Sequence, residues 1–367
     1  MSGIYLNILL NKLQNYGLRG LAYNWFKSYL YNRKQCVMLD NFISFNKVIR
    51  TGVPQGSILG TILFIIFLND FSYVCRQSNI QLYADDTTMS FSNDNYHNLV
   101  QNVNWELNNV CNWLQNNMLC LNVDKSSWML FTGRRIQVGD ADINLNGDPL
   151  ARSHTIKSLG IIFDTNLSFL PHIQYILDKI SKNIGIFYKL RSILPFCVLR
   201  NLYYTLVYPY LLYSILVWGD TNPTHLSRLL LMQKKVVRII TKSHFLAHSN
   251  PLFYRTGILK IHDLYKFHVA LYGFRNKDSL PYVSHGYRTR FSHQPIPSFN
   301  RFNITQRSLS HVAPSIFNEL PAYIKNSSSD SVFKLEYRKF LLSNYVWIIC
   351  LKFNSFLNTI LVFKKLI

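Results

Sequence analysis

A chain of 367 residues, 49% apolar and 15% aromatic, has the material for a sizeable core and is not a disordered polymer. Its 39 Lys and Arg against 18 Asp and Glu give a net charge of +21, a field that attracts polyanions such as nucleic acid or an anionic membrane; a merely soluble basic protein carries the same charge. The six cysteines are scattered, with no CxxC pair and no Cys/His cluster, which argues against a disulfide framework and a structural zinc site and fits a reducing compartment. The first residues, MSGIYLNILLNKLQ, lack a basic stretch and a cleavage site, so no secretory signal is expected.

In chain order, residues 4–31 read as helical, with Ile4, Ile8, Leu9, Leu13 and then Leu21, Trp25, Tyr29 in three- and four-residue steps and Gly17 and Gly20 as punctuation. Residues 34–50 alternate loosely and predict a strand pair turning at Asp40-Asn41. A glycine-bearing loop at 52–56 precedes an apolar helix running to about Asn69. Residues 79–92 alternate as a β-hairpin with Asp85 and Asp86 at or near its turn. Residues 95–118 predict an amphipathic helix whose stripe is Leu99, Val103, Leu107, Val110, Leu114 and Met118. Short strands are expected within 120–132 and 156–164, joined by a Gly/Asp-rich connection.

After about Pro171 the pattern becomes helical and basic, with ten Lys or Arg against Asp178 and Asp220 as far as residue 244. Interleaved Phe187, Tyr188, Tyr203, Tyr204 and Trp218 suit a groove tracking a phosphate backbone. Aromatics in a core with lysines in solvent explain the same residues, and both readings stand at this stage. Residues 281–307, with four arginines, two histidines and no acid, predict an extended basic loop. Three apolar runs imitate membrane spans. The helical part of 51–69 is about 13 residues, roughly 20 Å of the ~30 Å needed. Residues 201–219 hold five tyrosines and Pro209 and predict a buried core helix, and 345–367 is broken by Lys352, Asn354 and Asn358. No membrane span is predicted.

Chemistry concentrates in three elements: TGVPQGS (51–57), YADD (83–86) and LNVDKS (121–126). Adjacent carboxylates repel and need a compensating cation, a basic neighbour or solvent. Mg²⁺ takes oxygen ligands, and two such ions about 3.5–4 Å apart clamp the attacking and leaving oxygens of an in-line displacement. Asp85 and Asp86 on a hairpin are candidates to hold them. The Gly52-Val53-Pro54-Gln55-Gly56 loop lets backbone approach a nucleotide, with Gln55 able to hydrogen-bond it. Lys125 is a candidate to neutralise or protonate a leaving pyrophosphate, and is expected on a nearby strand.

At these residues the sequence resembles the reverse transcriptases of non-LTR (LINE-type) retrotransposons, especially the jockey-like group. GVPQGSILG (52–60) with the helix ending Leu-Asn-Asp is similar to the family's template- and nucleotide-contacting motif, YADD to its catalytic hairpin, and LNVDKSSWMLF (121–131) to its lysine motif. SLGIIFDTNLSFLPHI (158–173) resembles the primer-grip strand and the start of the thumb, and flanking similarity extends the likeness over roughly 8–343. The resemblance implies an α+β fold: a partial polymerase right hand, with palm and partial fingers over 1–165, a helical thumb over 166–250 and a basic C-terminal extension over 251–344. An apolar tail of unknown role follows at 345–367. It also implies RNA-directed DNA polymerase chemistry with Asp85 and Asp86 as catalytic metal ligands for Mg²⁺ and Lys125 assisting. Gly52, Pro54, Gln55, Gly56, Tyr83 and Ala84 would contact nucleotide or template. The partners would be an RNA template, a DNA primer and dNTPs, without a membrane, in the nucleus or cytoplasm.

The family's palm holds its metals with a further aspartate, in a pattern like D-x-S-K-A-F-D directly before a segment like ILLNKLQNYG. Here ILLNKLQNYG is residues 8–17, residues 1–7 hold no acid, and Asp40 belongs to the presumed turn of a strand pair. Thr61 replaces the family's usual proline. The expectation is a reverse transcriptase fragment with an incomplete two-metal site and no competent polymerase activity; a non-catalytic nucleic-acid binder or a degenerate element is the alternative.

Overall fold

The computed structural model describes residues 3–54, 56–132, 143–145, 147–279, 295 and 306–353, with side chains as far as Tyr345. Two compact units divide the chain, Met1–Ser153 and His154–Ile367. The expected basic loop at 281–307 and most of the apolar tail lie outside the described residues. Among the described residues no helix is long and apolar enough to cross a membrane.

The first unit opens with two helices, α1 (Leu6–Asn15) and α2 (Gly20–Leu30). Leu6, Leu9, Leu10 and Leu13 of α1 recur at three- and four-residue steps and are buried. They form a core with Leu30, Val53 and, from α3 (Ile58–Leu68), Leu63, Phe64 and Phe67. Between α2 and α3 the expected strand pair is an interrupted ladder. Strand β1 (Lys34–Gln35) pairs with β4 (Lys47–Val48), and β2 (Met38–Leu39) with β3 (Phe42–Ile43), about a turn at Asp40, whose φ is 51°. Hairpin β5 (Asn79–Tyr83) and β6 (Asp86–Ser90) follows, then the long amphipathic α4 (Tyr96–Asn116). Short strands complete the unit: β7 (Ser127–Trp128), β8 (Asn144–Leu145) with β9 (Asp148–Pro149), and β10 (Ala151–Arg152), which runs parallel to β7. Mixed helix and strand is compatible with the α+β expectation.

The second unit begins with the hairpin β11 (Thr155–Ser158) and β12 (Ile161–Asp164), turning at Leu159 and Gly160, both at positive φ as a two-residue hairpin loop favours. Asp164 accepts the amides of Ser168 (3.1 Å) and Phe169 (2.7 Å) and so starts α5 (Leu170–Leu190). One continuous core joins α5, α6 (Phe196–Leu206), α7 (Tyr208–Leu212), α8 (Ile215–Trp218), α9 (Pro223–Ile240), α10 (Ser249–Thr256), α11 (Ile261–Arg275) and the helices Leu309–Glu319 and Asp330–Phe353. Residues 201–219 are core, as expected, but form three helices instead of one. Pro209 opens α7, where its missing N–H costs least, and Ser214 turns the chain through a left-handed φ of 50°. The core reading also accounts for most of the interleaved aromatics: Phe187, Tyr203 and Trp218 are fully buried, whereas Tyr188 is 57% exposed.

Polar groups inside this core are chosen to be satisfied. Gln233 is fully buried, donates to Tyr203 Oη (2.9 Å) and the Leu259 carbonyl (3.2 Å), and accepts from the Ile261 amide (2.8 Å). His172 is an exception, as are buried atoms of His225, His268 and Asn318. The His172 Nδ1 accepts from the Ile162 amide (3.4 Å), which leaves the buried Nε2 with no partner. Burial lowers its pKa below the ordinary value of 6.5, and protonating Nδ1 would set two donors face to face. His262 and His268 are likewise lowered, burial again being the main cause. A base with a lowered folded pKa leaves the unfolded chain holding more protons just below pH 6.5, so stability rises with pH through that window. The melting temperature is therefore expected to fall as pH drops from 7.5 to 5.5, and His172→Phe to flatten part of that slope in a pH series of melts.

Candidate active site

The loop before α3 is held at both ends. Thr51 bridges Tyr5, the Gly52 amide donates to the Ile4 carbonyl (2.7 Å), and Arg33 donates to the Gly52 carbonyl. Gly52 and Gly56 stand at φ 84° and 78°, a region that glycine enters without strain. Ser57 then caps α3: its Oγ accepts the Gly60 amide (3.0 Å) and donates to the Pro54 carbonyl (2.9 Å). Gly60 is tied to this arrangement, since a Cβ there would overlap the Pro54 carbonyl oxygen. Gly56 is exposed with open space around its α-carbon, so the loop offers bare backbone. Gln55 lies outside the described residues.

The opposite faces of α3 differ in kind. Gly60, Leu63, Phe64 and Phe67 face the core, while Ile58, Ile62 and Ile65 are exposed. Beyond α3, Phe71 stacks edge-on against Trp113 of α4 (5.1 Å) in a cluster that also takes Val110, Ile80 and Met89. Lys12 of α1 is drawn into the same junction: its Nζ bonds the Phe67 carbonyl and Asp70 Oδ1, both at 2.7 Å, beneath the rings of Phe67 and Trp113. Burial lowers the Lys12 pKa, and the Asp70 carboxylate partly offsets this.

That cluster supports the β5–β6 hairpin. Its register sets Tyr83 opposite Asp86, Gln81 opposite Thr88 and Ile80 opposite Met89. Side chains alternate along a strand, so Ile80 and Met89 share the face that packs on α4, while Asn79, Gln81, Tyr83, Asp86, Thr88 and Ser90 share the other. Asp85 sits in the two-residue turn after Ala84, whose φ is 52°. A β-carbon there costs about 1–2 kcal/mol in the left-handed region. Both carboxylates are exposed. The sequence had foreseen this turn, and it does bring Tyr83, Ala84, Asp85 and Asp86 to one tip. Among the described residues no cluster of three or more His, Cys, Asp or Glu side chains forms a metal-type site.

Lys125 belongs to a third element, and here the expectation of a strand is corrected. Val123–Lys125 is a 3-10 turn whose Asn122 side chain accepts the Lys125 amide (3.1 Å). Asn competes for local backbone donors in this way and ends the extended run, so the strand begins only at Ser127. The Lys125 side chain is exposed.

Two residues of this region went unnoticed as sequence. Asp70 gave no signal of its pairing with Lys12. Glu106 did, for it is the sole acid between 95 and 118 and lies three residues after Val103 and four before Val110, on the apolar stripe. It is fully buried and accepts from the amides of Arg76 (3.1 Å) and Gln77 (2.7 Å) and from the Ser78 hydroxyl. Burial, with the Glu106 charge adding to it, pushes the neighbouring Cys75 thiol up to about 11.

Comparison with known proteins gives these elements a common setting. Residues 3–163 match the reverse transcriptase (RNA-dependent DNA polymerase) family model, a span that contains the loop, the hairpin and Lys125. This match and the relatives below support a LINE-type reverse transcriptase. It is 27% identical over 263 residues to the probable RNA-directed DNA polymerase from transposon BS of Drosophila melanogaster, covering 69% of this chain and 29% of that protein. It is 24% identical over 253 residues to the probable RNA-directed DNA polymerase from transposon X-element of the same fly, covering 67% and 28%. To the RNA-directed DNA polymerase from mobile element jockey, also of that fly, it is 27% identical over 226 residues, covering 59% and 24%. In each case the match takes in less than a third of the relative's length.

Two substitutions test how the site is held. Ala84→Gly is expected to stabilise the hairpin by about 1 kcal/mol, seen as slower amide exchange across residues 79–90. Gly60→Ala is expected to cost about 1–3 kcal/mol by forcing the helix and the loop apart, seen as a lowered denaturant midpoint.

Proposed function

We propose that this chain carries the nucleotidyl-transfer region of an RNA-directed DNA polymerase, acting on an RNA template, a DNA primer and dNTPs. The observation that carries the reading is the hairpin tip, which presents two adjacent, solvent-facing carboxylates inside the segment matched by the reverse transcriptase family. Hard oxygen donors of this type fit Mg²⁺, and Asp85 and Asp86 would hold it. The bound ions would supply Lewis-acid stabilisation of the attacking and leaving oxygens. The chain's own contribution is placement. The exposed backbone of Gly56 is open to nucleotide or template, with Gly52, Pro54 and Gln55 as the other candidate contacts of the loop, Tyr83 and Ala84 border the carboxylates, and Lys125 meets the negative charge of the departing pyrophosphate. A palm followed by a thumb-like helical region from residue 166 and a C-terminal extension from 251 is the domain plan that goes with this reading.

Two carboxylates are a thin ligand set for a pair of dications. We therefore expect weak Mg²⁺ binding and little turnover from this sequence by itself. The net charge of +21 favours a second property, sequence-independent binding of nucleic acid, which does not need the metal. Primer extension and filter binding on the same preparation separate the two. Affinity for a template–primer is expected to fall about tenfold or more between 100 and 300 mM salt. Whatever Mg²⁺-dependent incorporation is seen is expected to vanish in Asp85→Asn, with binding unchanged. Incorporation that survives Asp85→Asn would sink the assignment of the metal ligands; salt-sensitive binding with no incorporation would make the chain a binder only.

A further inference from the structure

The hairpin that carries Asp85 and Asp86 leaves its support through the turn at residues 75–78, and this turn is organised around one buried charge. Glu106, in the middle of α4, has no exposed surface. Its Oε2 accepts two successive backbone amides, Arg76 (3.1 Å) and Gln77 (2.7 Å), and its Oε1 accepts the Ser78 hydroxyl. Consecutive amides turned toward one acceptor make an anion cradle, here filled from within the chain. Strand β5 starts at the next residue, Asn79. A buried carboxylate is tolerated only with such a set of donors, and removing it would leave those donors unpaired.

We propose that Glu106 is the positioning residue of the candidate metal site: its carboxylate fixes the take-off of β5 and thereby where Asp85 and Asp86 stand. The function assigned to that position rests on the polymerase reading above. The apolar contact of Ile80 and Met89 with Val110 and Trp113 anchors one face of the hairpin but leaves it free to slide or tilt, because dispersion contacts are non-directional. The three hydrogen bonds to Glu106 are directional and charge-assisted, and they act on the backbone itself. Four residues separate Ser78 from Tyr83, so a change of direction at the turn is carried undiminished to the tip along a stiff pair of strands.

The test compares Glu106→Leu and Glu106→Gln with the unmodified full chain. Leucine fills the space and removes every acceptor; glutamine keeps an oxygen for the amides and can turn its NH₂ group to Ser78 Oγ. Amide exchange by mass spectrometry is read at residues 76–90 and in the α1–α3 core, and Mn²⁺ affinity by water-proton relaxation, with Asp85→Asn as the reference for loss of the site. The expected result is exchange at 76–83 at least tenfold faster in Glu106→Leu, an intermediate effect in Glu106→Gln, a core changed less than threefold, and Mn²⁺ affinity weakened in the same order. Wild-type protection at 79–83, uniform loss of protection across the unit, or faster exchange with unchanged Mn²⁺ affinity would each overturn the proposal. If Glu106→Leu does not fold, Glu106→Gln and Ser78→Ala decide it by the same readings. If the unmodified chain binds no Mn²⁺, the metal reading of Asp85 and Asp86 fails, while exchange at 76–83 still judges whether Glu106 sets the hairpin.

Discussion

A two-stranded hairpin is marginal in water unless something covers one of its faces. The candidate site depends on how that constraint is met, because β5 and β6 form a two-stranded sheet and must carry adjacent carboxylates at their tip. Alternation solves half of the problem. Ile80 and Met89 are given to the cluster of Phe71, Val110 and Trp113, and the remaining face is left polar for solvent or substrate. The other half is orientation, for which apolar contact is a poor instrument; the buried Glu106 adds direction at the base of β5. At the far end the tip accepts a cost, Ala84 in the left-handed region, where glycine would be easier. Strain of this kind persists when the surroundings over-determine the backbone.

The chain that follows the loop leads directly into this cluster. Residue order along α3 runs from the Ser57 cap to Phe67, then through a short turn to Phe71, so one continuous piece of backbone links Pro54 and Gly56 to the surface on which Ile80 rests. Lys12 reinforces the joint from α1 by holding the Phe67 carbonyl and Asp70 together. Partial burial of that lysine is tolerated because each of its tasks is electrostatic: a carboxylate, a carbonyl and two ring faces all favour a cation there. Loop and hairpin thus answer to two adjoining clusters that share Leu68 and Leu119, and neither has to find its place alone.

Much of this was legible because the signals were periodic or local. The stripe of α4 gave its extent to within a few residues, the alternation of 79–92 gave the hairpin, and the pairing of Asp85 with Asp86 gave the tip. What escaped was decided by single polar residues acting over short range or across the fold. Asn122 diverted the chain at Lys125 into a 3-10 turn where a strand was expected. Pro209 and Ser214 cut one apolar run into three helices without moving it out of the core. Glu106 was visible as an acid on an apolar stripe, but its partners lie about thirty positions earlier and no local pattern names them. The interleaved aromatics after residue 171 were ambiguous in sequence because a core and a stacking platform want the same side chains; burial of Phe187, Tyr203 and Trp218 settles most of them in favour of the core.

That outcome changes what the positive charge has to do. If most of those aromatics are spent on packing the second unit, base stacking on them cannot supply the proposed affinity for nucleic acid, and attraction would have to come from Lys and Arg meeting phosphates. Attraction of that kind is indifferent to sequence and to the exact pose of the strand. On the proposed reading, selectivity for a primer end would fall to the first unit, where the loop and the carboxylates at the hairpin tip would demand a defined geometry. A net charge that favours polyanions and a small acidic tip that would need a cation before accepting one are opposite in sign. On this reading, a strand drawn by the net charge of +21 would still need a cation at the hairpin tip before its phosphates could approach Asp85 and Asp86.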